Sequence, residues 1–240
     1  LLKKLIEEYQ IDTVFSDNVF GLWNKNVTSV YMTHQLMIKM PFYLKFLEPL
    51  VWLVHGAFIK KYDVCLVPDK FEDGGFAGDL THKYRLPKNV RFIGIQSRFS
   101  KEKGQTPIPE YEIAAILSGV EPQRSIFENI LIQELSKKNI PSLIVRGLPS
   151  NDSTKKQINK LSIVSHLNSE EIEQLLIDTP TIICRSGYSS VMDLIALEKT
   201  AILVPTPGQT EQEYLAKSLQ EKGLFKSVKQ KELSKFLETL

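Results

Sequence analysis

The sequence has little of what would mark several large protein classes. Its 240 residues hold only two cysteines, Cys65 and Cys184, in the apolar runs VCLV and TIICRS. That excludes a disulfide framework and predicts a reduced, intracellular protein. Charge of one sign is also lacking, since 30 Lys and Arg stand against 28 Asp and Glu; without a basic concentration, nucleic acid is excluded as a partner. No stretch of about 18 uncharged apolar residues is present, and the opening LLKKLIEEYQ reads as an amphipathic helix, not a signal peptide. Asp-x-Asp is absent, and His55 and His82 have no acid or cysteine at ligand spacing, so neither a metal nor a cofactor is assigned. Disorder is excluded by a hydrophobic content of 42%, enough to bury one large core or two small ones. The chain opens at Leu1, inside a helix that leads into a strand, and a further stretch of amino-terminal sequence is expected, a processed native terminus being the other reading.

What is there is an alternation of short apolar or β-branched runs with helical patterns. Strands are read at 13–16, 29–33, 64–67, 90–93, 113–117, 142–146, 163–165, 181–184 and 201–204, and helices at 125–138, 170–177, 189–197 and 211–222. This is the pattern of parallel βα units. It predicts an α/β protein of two Rossmann-like, doubly wound parallel-sheet domains, the first incomplete. Glycine, proline and mixed charge interrupt the pattern over 94–111, and the hinge is placed near Ser97, giving domains 1–96 and 97–240.

The stretch 181–223 reads strand, tight turn, helix, strand, polar loop, helix. Ligands of such folds gather at the carboxyl ends of the strands, where a helix amino terminus offers free N–H groups and a favourable dipole to phosphate. Arg185, Ser186, Gly187 and Ser189 occupy that turn. Gly187 would let a ligand approach the backbone, Ser186 and Ser189 would cap the helix or donate to phosphate, and Arg185 would brace either the loop or the anion. Asp193, one turn on, has the acceptors to grip a vicinal diol such as ribose. Its spacing from Ser190 equally fits a capping box.

These residues resemble the family 28 glycosyltransferases of GT-B fold. The family's Cys-Arg-Ser-Gly turn is matched by Cys184, Arg185, Ser186 and Gly187, its acid on the next helix by Asp193, its Val-Pro by Val204 and Pro205, and its Gln-bearing loop by Glu211 and Gln212. The resemblance implies that Glu211 and Gln212 face the donor sugar and that Arg98, in the linker Gly94-Ile95-Gln96-Ser97-Arg98, lies near its phosphates. It also brings in Ser118, Gly119 and Arg124 as the counterpart of a glycine-rich phosphate loop, although Pro122 and the single glycine depart from the family pattern. Leu167 stands where the family has an aromatic residue against uracil. The implied partners are a nucleotide-sugar donor, UDP-linked, and a glycan or lipid-linked acceptor of the cell envelope. The implied reaction is an inverting, metal-independent hexosyl transfer.

The acceptor would belong to 1–96. His34, in VYMTHQL, resembles the end of a family strand and is the candidate catalytic base, because imidazole titrates near neutral pH; a hydrogen-bonded structural role is the other reading. Asp17 and Asn18 end the first strand, with loop capping as their expected role. The aromatic segment 37–62, bordered by Lys39, Lys45, Lys60 and Lys61, fits a peripheral membrane contact, broken in the middle by Glu48 and Pro49, or equally a core helix. The expected location is the cytoplasm, at the inner face of the plasma membrane. Epimerases and hydrolases of nucleotide sugars share the architecture, and a noncatalytic binding subunit or a degenerate domain that binds no nucleotide would share the pattern.

Overall fold

The computed structural model describes residues 1–100, 108–148 and 155–240. The part of the linker reading that falls on 101–107 lies outside the described residues. Contacts divide the chain into two units, Leu1–Gln96 and Ser97–Leu240.

In the first unit, helix α1 (Leu2–Tyr9) feeds β1 (Thr13–Asp17), then β2 (Thr28–Met32). A 3-10 turn, Phe42–Leu47, runs straight into α2 (Glu48–Ile59), and β3 (Val64–Val67), the short α3 (Asp79–His82) and β4 (Val90–Phe92) complete the unit. The four strands are parallel and lie in sequence order. Their core gathers Tyr31, Leu36, Ile59, Tyr62, Cys65, Val67 and Val90. The expected break at Glu48 and Pro49 is corrected: the helical segment runs through them. Proline is tolerated in a first helical turn, where its missing N–H has no partner to lose, and both residues start α2. Glu48 is buried and held by the Lys83 ammonium at 2.5 Å and by the Met40 N–H at 3.2 Å.

The second unit contains β5 (Ile113–Ile116), α4 (Gln123–Leu135), β6 (Ser142–Val145), β7 (Lys156–Ile158), β8 (Leu161–Val164), α5 (Ser169–Asp178) and β9 (Thr181–Cys184). Then come α6 (Tyr188–Ala196), β10 (Ile202–Leu203), α7 (Thr210–Glu221), β11 (Lys226–Ser227) and α8 (Leu233–Glu238). The strand order is β11-β10-β9-β5-β6-β8-β7, all parallel except the β7–β8 hairpin. Residues Phe127, Leu131 and Leu135, four apart on α4, share one helical face. That face is fully buried against Ile113, Ala115, Ile144, Ile183 and the α8 residues Leu233 and Leu237. At roughly 2–3 kcal/mol for each large side chain removed from water, this packing fixes α4 over the sheet.

Candidate functional site

Chain order reverses at β5: β6, β8 and β7 lie to one side and β9, β10 and β11 to the other. Loops leaving β5 and β9 diverge there, and the crevice they leave is where doubly wound domains take their ligands. Ile116 is paired with Cys184, so the 185–187 turn and the 117–122 loop rise from the same end of neighbouring strands.

Gly187 is the N-cap of α6, with φ −69° and ψ 141° and no side-chain cap. The Ser190–Asp193 capping box is therefore not formed. Nothing in that backbone conformation requires glycine, and no atom lies within 4 Å of where a Cβ would stand. The first-turn N–H groups of a helix lack intrahelical partners, and at Gly187 the space above the backbone is open.

Asp193 is organised by the start of the unit. Its Oδ1 accepts from the Ser97 hydroxyl at 2.6 Å, which in turn accepts from the Phe99 N–H at 3.0 Å. Arg98 places Nε at 3.9 Å from Oδ2, donates to Ser169 Oγ at 3.2 Å and lies over the Phe99 ring. The site thus brings together residues 96 positions apart. Ser118 and Gly119 are exposed in the β5 loop, where Gly119 adopts φ +99°, a conformation glycine takes readily. Ser189 is exposed in the first turn of α6.

Other residues of the sequence reading face inward. Arg185 is 1% exposed: Nη1 donates to the carbonyls of Val204 (3.1 Å) and Pro205 (3.3 Å), and Nη2 to the Gln123 carbonyl (2.8 Å) and Gln230 Oε1 (2.7 Å). Burial lowers its pKa to about 10, which leaves it a cation at neutral pH. Of its two expected roles, bracing the loop is the one this geometry supplies, and direct contact with an anion is corrected. Ser186 is fully buried and donates to the Gln212 carbonyl at 2.9 Å, so its hydroxyl ties the turn to α7 and does not cap α6. Arg124 is buried between Glu121 and Glu128, 2.6 and 2.7 Å away, and Arg146 reaches the other Glu128 oxygen at 2.6 Å. That guanidinium closes an internal ion-pair network, and its assignment as a phosphate ligand is likewise corrected.

Glu211 and Gln212 lie in the first turn of α7, half-buried. The Gln212 amide accepts from the Thr206 N–H at 2.9 Å and donates to Gln209 at 2.6 Å, which stiffens the polar loop before the helix. Leu167 follows β8, two strands from β5, and lines a groove of about 400 Å³ with Tyr111, Leu143 and Val164. In the first unit, His34 is half-buried at a bend after β2. The chain turns there because Thr33 Oγ1 accepts from the Gln35 N–H at 3.0 Å and donates to Asn18 Oδ1 at 2.9 Å, which gives Asn18 a structural role. Sequence reasoning missed Ser97 as the partner of Asp193, and Gln123 and Gln230 around Arg185. It also missed the Glu128 network, for which the four-residue spacing of Arg124 and Glu128 was a usable signal.

Residues 129–240 match the glycosyltransferase family 28 C-terminal domain. Over 163 residues the chain is 25% identical to the UDP-N-acetylglucosamine–N-acetylmuramyl-(pentapeptide) pyrophosphoryl-undecaprenol N-acetylglucosamine transferase of Sulfurihydrogenibium sp. (strain YO3AOP1). That match takes in 65% of this chain and 46% of the relative, so it spans about half of the relative's length. Among solved structures, the kitacinnamycin glycotransferase aligns with all of the chain and 70% of its own, with a TM-score of 0.62 at 13% identity. A UDP-N-acetylglucosamine 2-epimerase, so assigned in Listeria monocytogenes, aligns over 98% of the chain and 67% of its own, with a TM-score of 0.53 at 10% identity. These likenesses establish the architecture. The match at residues 129–240 thus identifies a family 28 glycosyltransferase C-terminal domain in the second unit, on a chain whose architecture is that of GT-B glycosyltransferases.

Proposed function

We propose that the chain transfers a hexose or N-acetylhexosamine from a UDP-linked donor to an acceptor hydroxyl, with inversion and without a metal. The observation that carries this reading is the open helix start at Gly187, on the strand next to the β5 loop, with Asp193 held one turn away by Ser97. The helix N–H groups and Arg98 would take the diphosphate, Asp193 the ribose diol, and Glu211 and Gln212 the sugar hydroxyls. As the leaving diphosphate gains charge, fixed N–H dipoles and a guanidinium stabilise it without reorganising. Ser118, Gly119 and Ser189 would add donors, and Leu167 would meet the base.

The acceptor is assigned to residues 1–96, with His34 as the base that takes the proton of the attacking hydroxyl. The curated relative's acceptor is carried on pyrophosphoryl-undecaprenol, and a lipid-linked acceptor at the inner face of the plasma membrane is proposed here as well. The continuous helical stretch Phe42–Ile59 supports it: 18 residues long and 22% buried, it is long and apolar enough by length and composition to cross a bilayer. One face packs inward through His55, Gly56 and Ile59. Phe42, Tyr43, Phe46, Leu50, Leu53 and Val54 are exposed on the rest, beside Lys45, Lys60 and Lys61. A half-packed helix with that border suits an interfacial contact.

Calorimetry with UDP on the full chain, followed by incubation with UDP-sugar with and without a lipid-linked acceptor, tests the reading. Binding of UDP, with donor turnover only when acceptor is present and unaffected by EDTA, is expected. Donor consumed without acceptor would instead establish the epimerase or hydrolase reading, and absence of UDP binding would remove the donor site altogether.

A further inference from the structure

Arg185 is a buried cation whose partners are all neutral: three backbone carbonyls and the Gln230 amide oxygen. Its face lies 4.2 Å from the Phe127 ring centroid, and its buried Nε has no acceptor at all. Among the described residues no carboxylate pairs with it. The same unit neutralises Arg124, its other buried guanidinium, directly on Glu128. Burying a charge without a counter-ion is expensive, and proteins rarely do so for bracing alone, which a neutral donor could provide. The Arg185 backbone lies two residues before the open helix start at Gly187, its guanidinium is seated between the first turn of α4 and the carbonyls that follow β10, and a low-dielectric interior screens its field little.

We propose that Arg185 is the internal positive charge of the donor site, a positioning residue that never touches the nucleotide and whose counter-ion is the diphosphate itself. The inference rests on the donor-site reading above. Its consequence is selectivity by ligand charge: Arg185 favours diphosphate over monophosphate and monophosphate over nucleoside, adding to the dipole of α6.

Gln230 supplies the decisive test. In Gln230→Glu a carboxylate of the same size replaces the amide oxygen 2.7 Å from Nη2, so the hydrogen bond to Arg185 is kept while the cation is neutralised in place; the Gln123 amide, which accepts from Gln230 Nε2 at 3.2 Å, has to turn its NH2 toward the new carboxylate. Uridine, UMP and UDP would be titrated by calorimetry into the full-length wild type, Gln230→Glu, Arg185→Lys and Arg185→Gln, with thermal melting as the check on folding. The expected result is that Gln230→Glu binds UDP roughly tenfold or more weakly, UMP less affected and uridine unchanged. Arg185→Lys should keep the wild-type order of the three ligands. The loss in Gln230→Glu should persist at high salt, whereas that in Arg98→Ala should shrink, because Arg98 is more than half exposed.

Equal losses for all three ligands, or unchanged UDP affinity in a folded Gln230→Glu, would overturn the proposal and leave Arg185 a brace. Failure of the wild type to bind UDP would overturn the donor-site reading, and this inference with it. Arg185→Gln is secondary, because it strips hydrogen bonds from three carbonyls; Gln230→Glu keeps the question answerable if that variant does not fold.

Discussion

Asp193 keeps one oxygen on the Ser97 hydroxyl and leaves the other 3.9 Å from Arg98, a spacing that a ribose hydroxyl can share without displacing either partner. Removal of the carboxylate should weaken nucleotide binding and leave the fold intact, since Asp193 caps no helix. Asp193→Ala is expected to bind UDP about tenfold or more weakly, the size of a lost charge-assisted hydrogen bond, with a melting temperature close to wild type. Equal UDP affinity by calorimetry would refute the ribose assignment. Gly187 allows a sharper separation of site from scaffold. With open space above it and an ordinary φ, Gly187→Ala should lower stability by about 1 kcal/mol at most, the difference between glycine and alanine at an N-cap. Its methyl group would nevertheless stand where a diphosphate oxygen must approach, so UDP affinity should fall by far more than stability. A variant whose affinity and stability both stay unchanged would show that no ligand comes near this turn.

Elements report differently. On α4, Glu128 accepts from both Arg124 and Arg146 while only 7% exposed; neutralising it leaves the buried Arg124 with Glu121 alone and takes the carboxylate from Arg146. Glu128→Gln should lower unfolding free energy by about 1–2 kcal/mol, less than a fully buried pair because Glu121 still holds Arg124 and Arg146 reaches solvent, measured by denaturant titration; no measurable loss would mean that the network is solvated. On α2, burial lowers the pKa of His55, against a partly opposing hydrogen bond from its Nδ1 to the Leu36 carbonyl at 3.1 Å. The folded protein therefore binds fewer protons than the unfolded chain. Stability of residues 1–96 should be flat above about pH 6.5 and fall from there as pH drops toward the folded pKa. His55→Gln should flatten that limb, as melts of the first unit across pH 5–8 would register. The same elements explain what the sequence made legible. Strands such as IAAI, SLIV and TIIC could be read because residues buried on both faces form continuous apolar runs. The strands β7 and β11, KQI and KS, could not, since their identity comes from pairing with a neighbour. Pro49 was misread because a proline that opens a helix and one that breaks it look alike in sequence. The inward turn of Arg185 depends on Gln123 and Gln230, 62 and 45 residues away, and no local pattern encodes it.

Across the whole molecule, the core of 1–96 and that of 97–240 are each built from residues of their own unit alone, and each unit holds one of the two cysteines. Cys65 and Cys184 are both buried free thiols, with pKa values pushed up to about 12 by burial. Alkylation requires an exposed thiolate, so each cysteine should react only when its own unit opens. Modification by iodoacetamide, read site by site by mass spectrometry, then gives two opening rates from one sample. Leu131→Ala empties a fully buried position of the second core and should lower that unit's stability by about 3 kcal/mol, raising the labelling rate of Cys184 by roughly two orders of magnitude where labelling follows the open population. Cys65 should be much less affected, because no residue of its core changes. Equal acceleration at both sites would mean that the two cores open as one cooperative body. Added UDP should then slow labelling at Cys184 and not at Cys65, because a ligand stabilises only the cooperative unit that holds it. Protection confined to Cys65 would move the nucleotide site to the other half of the chain.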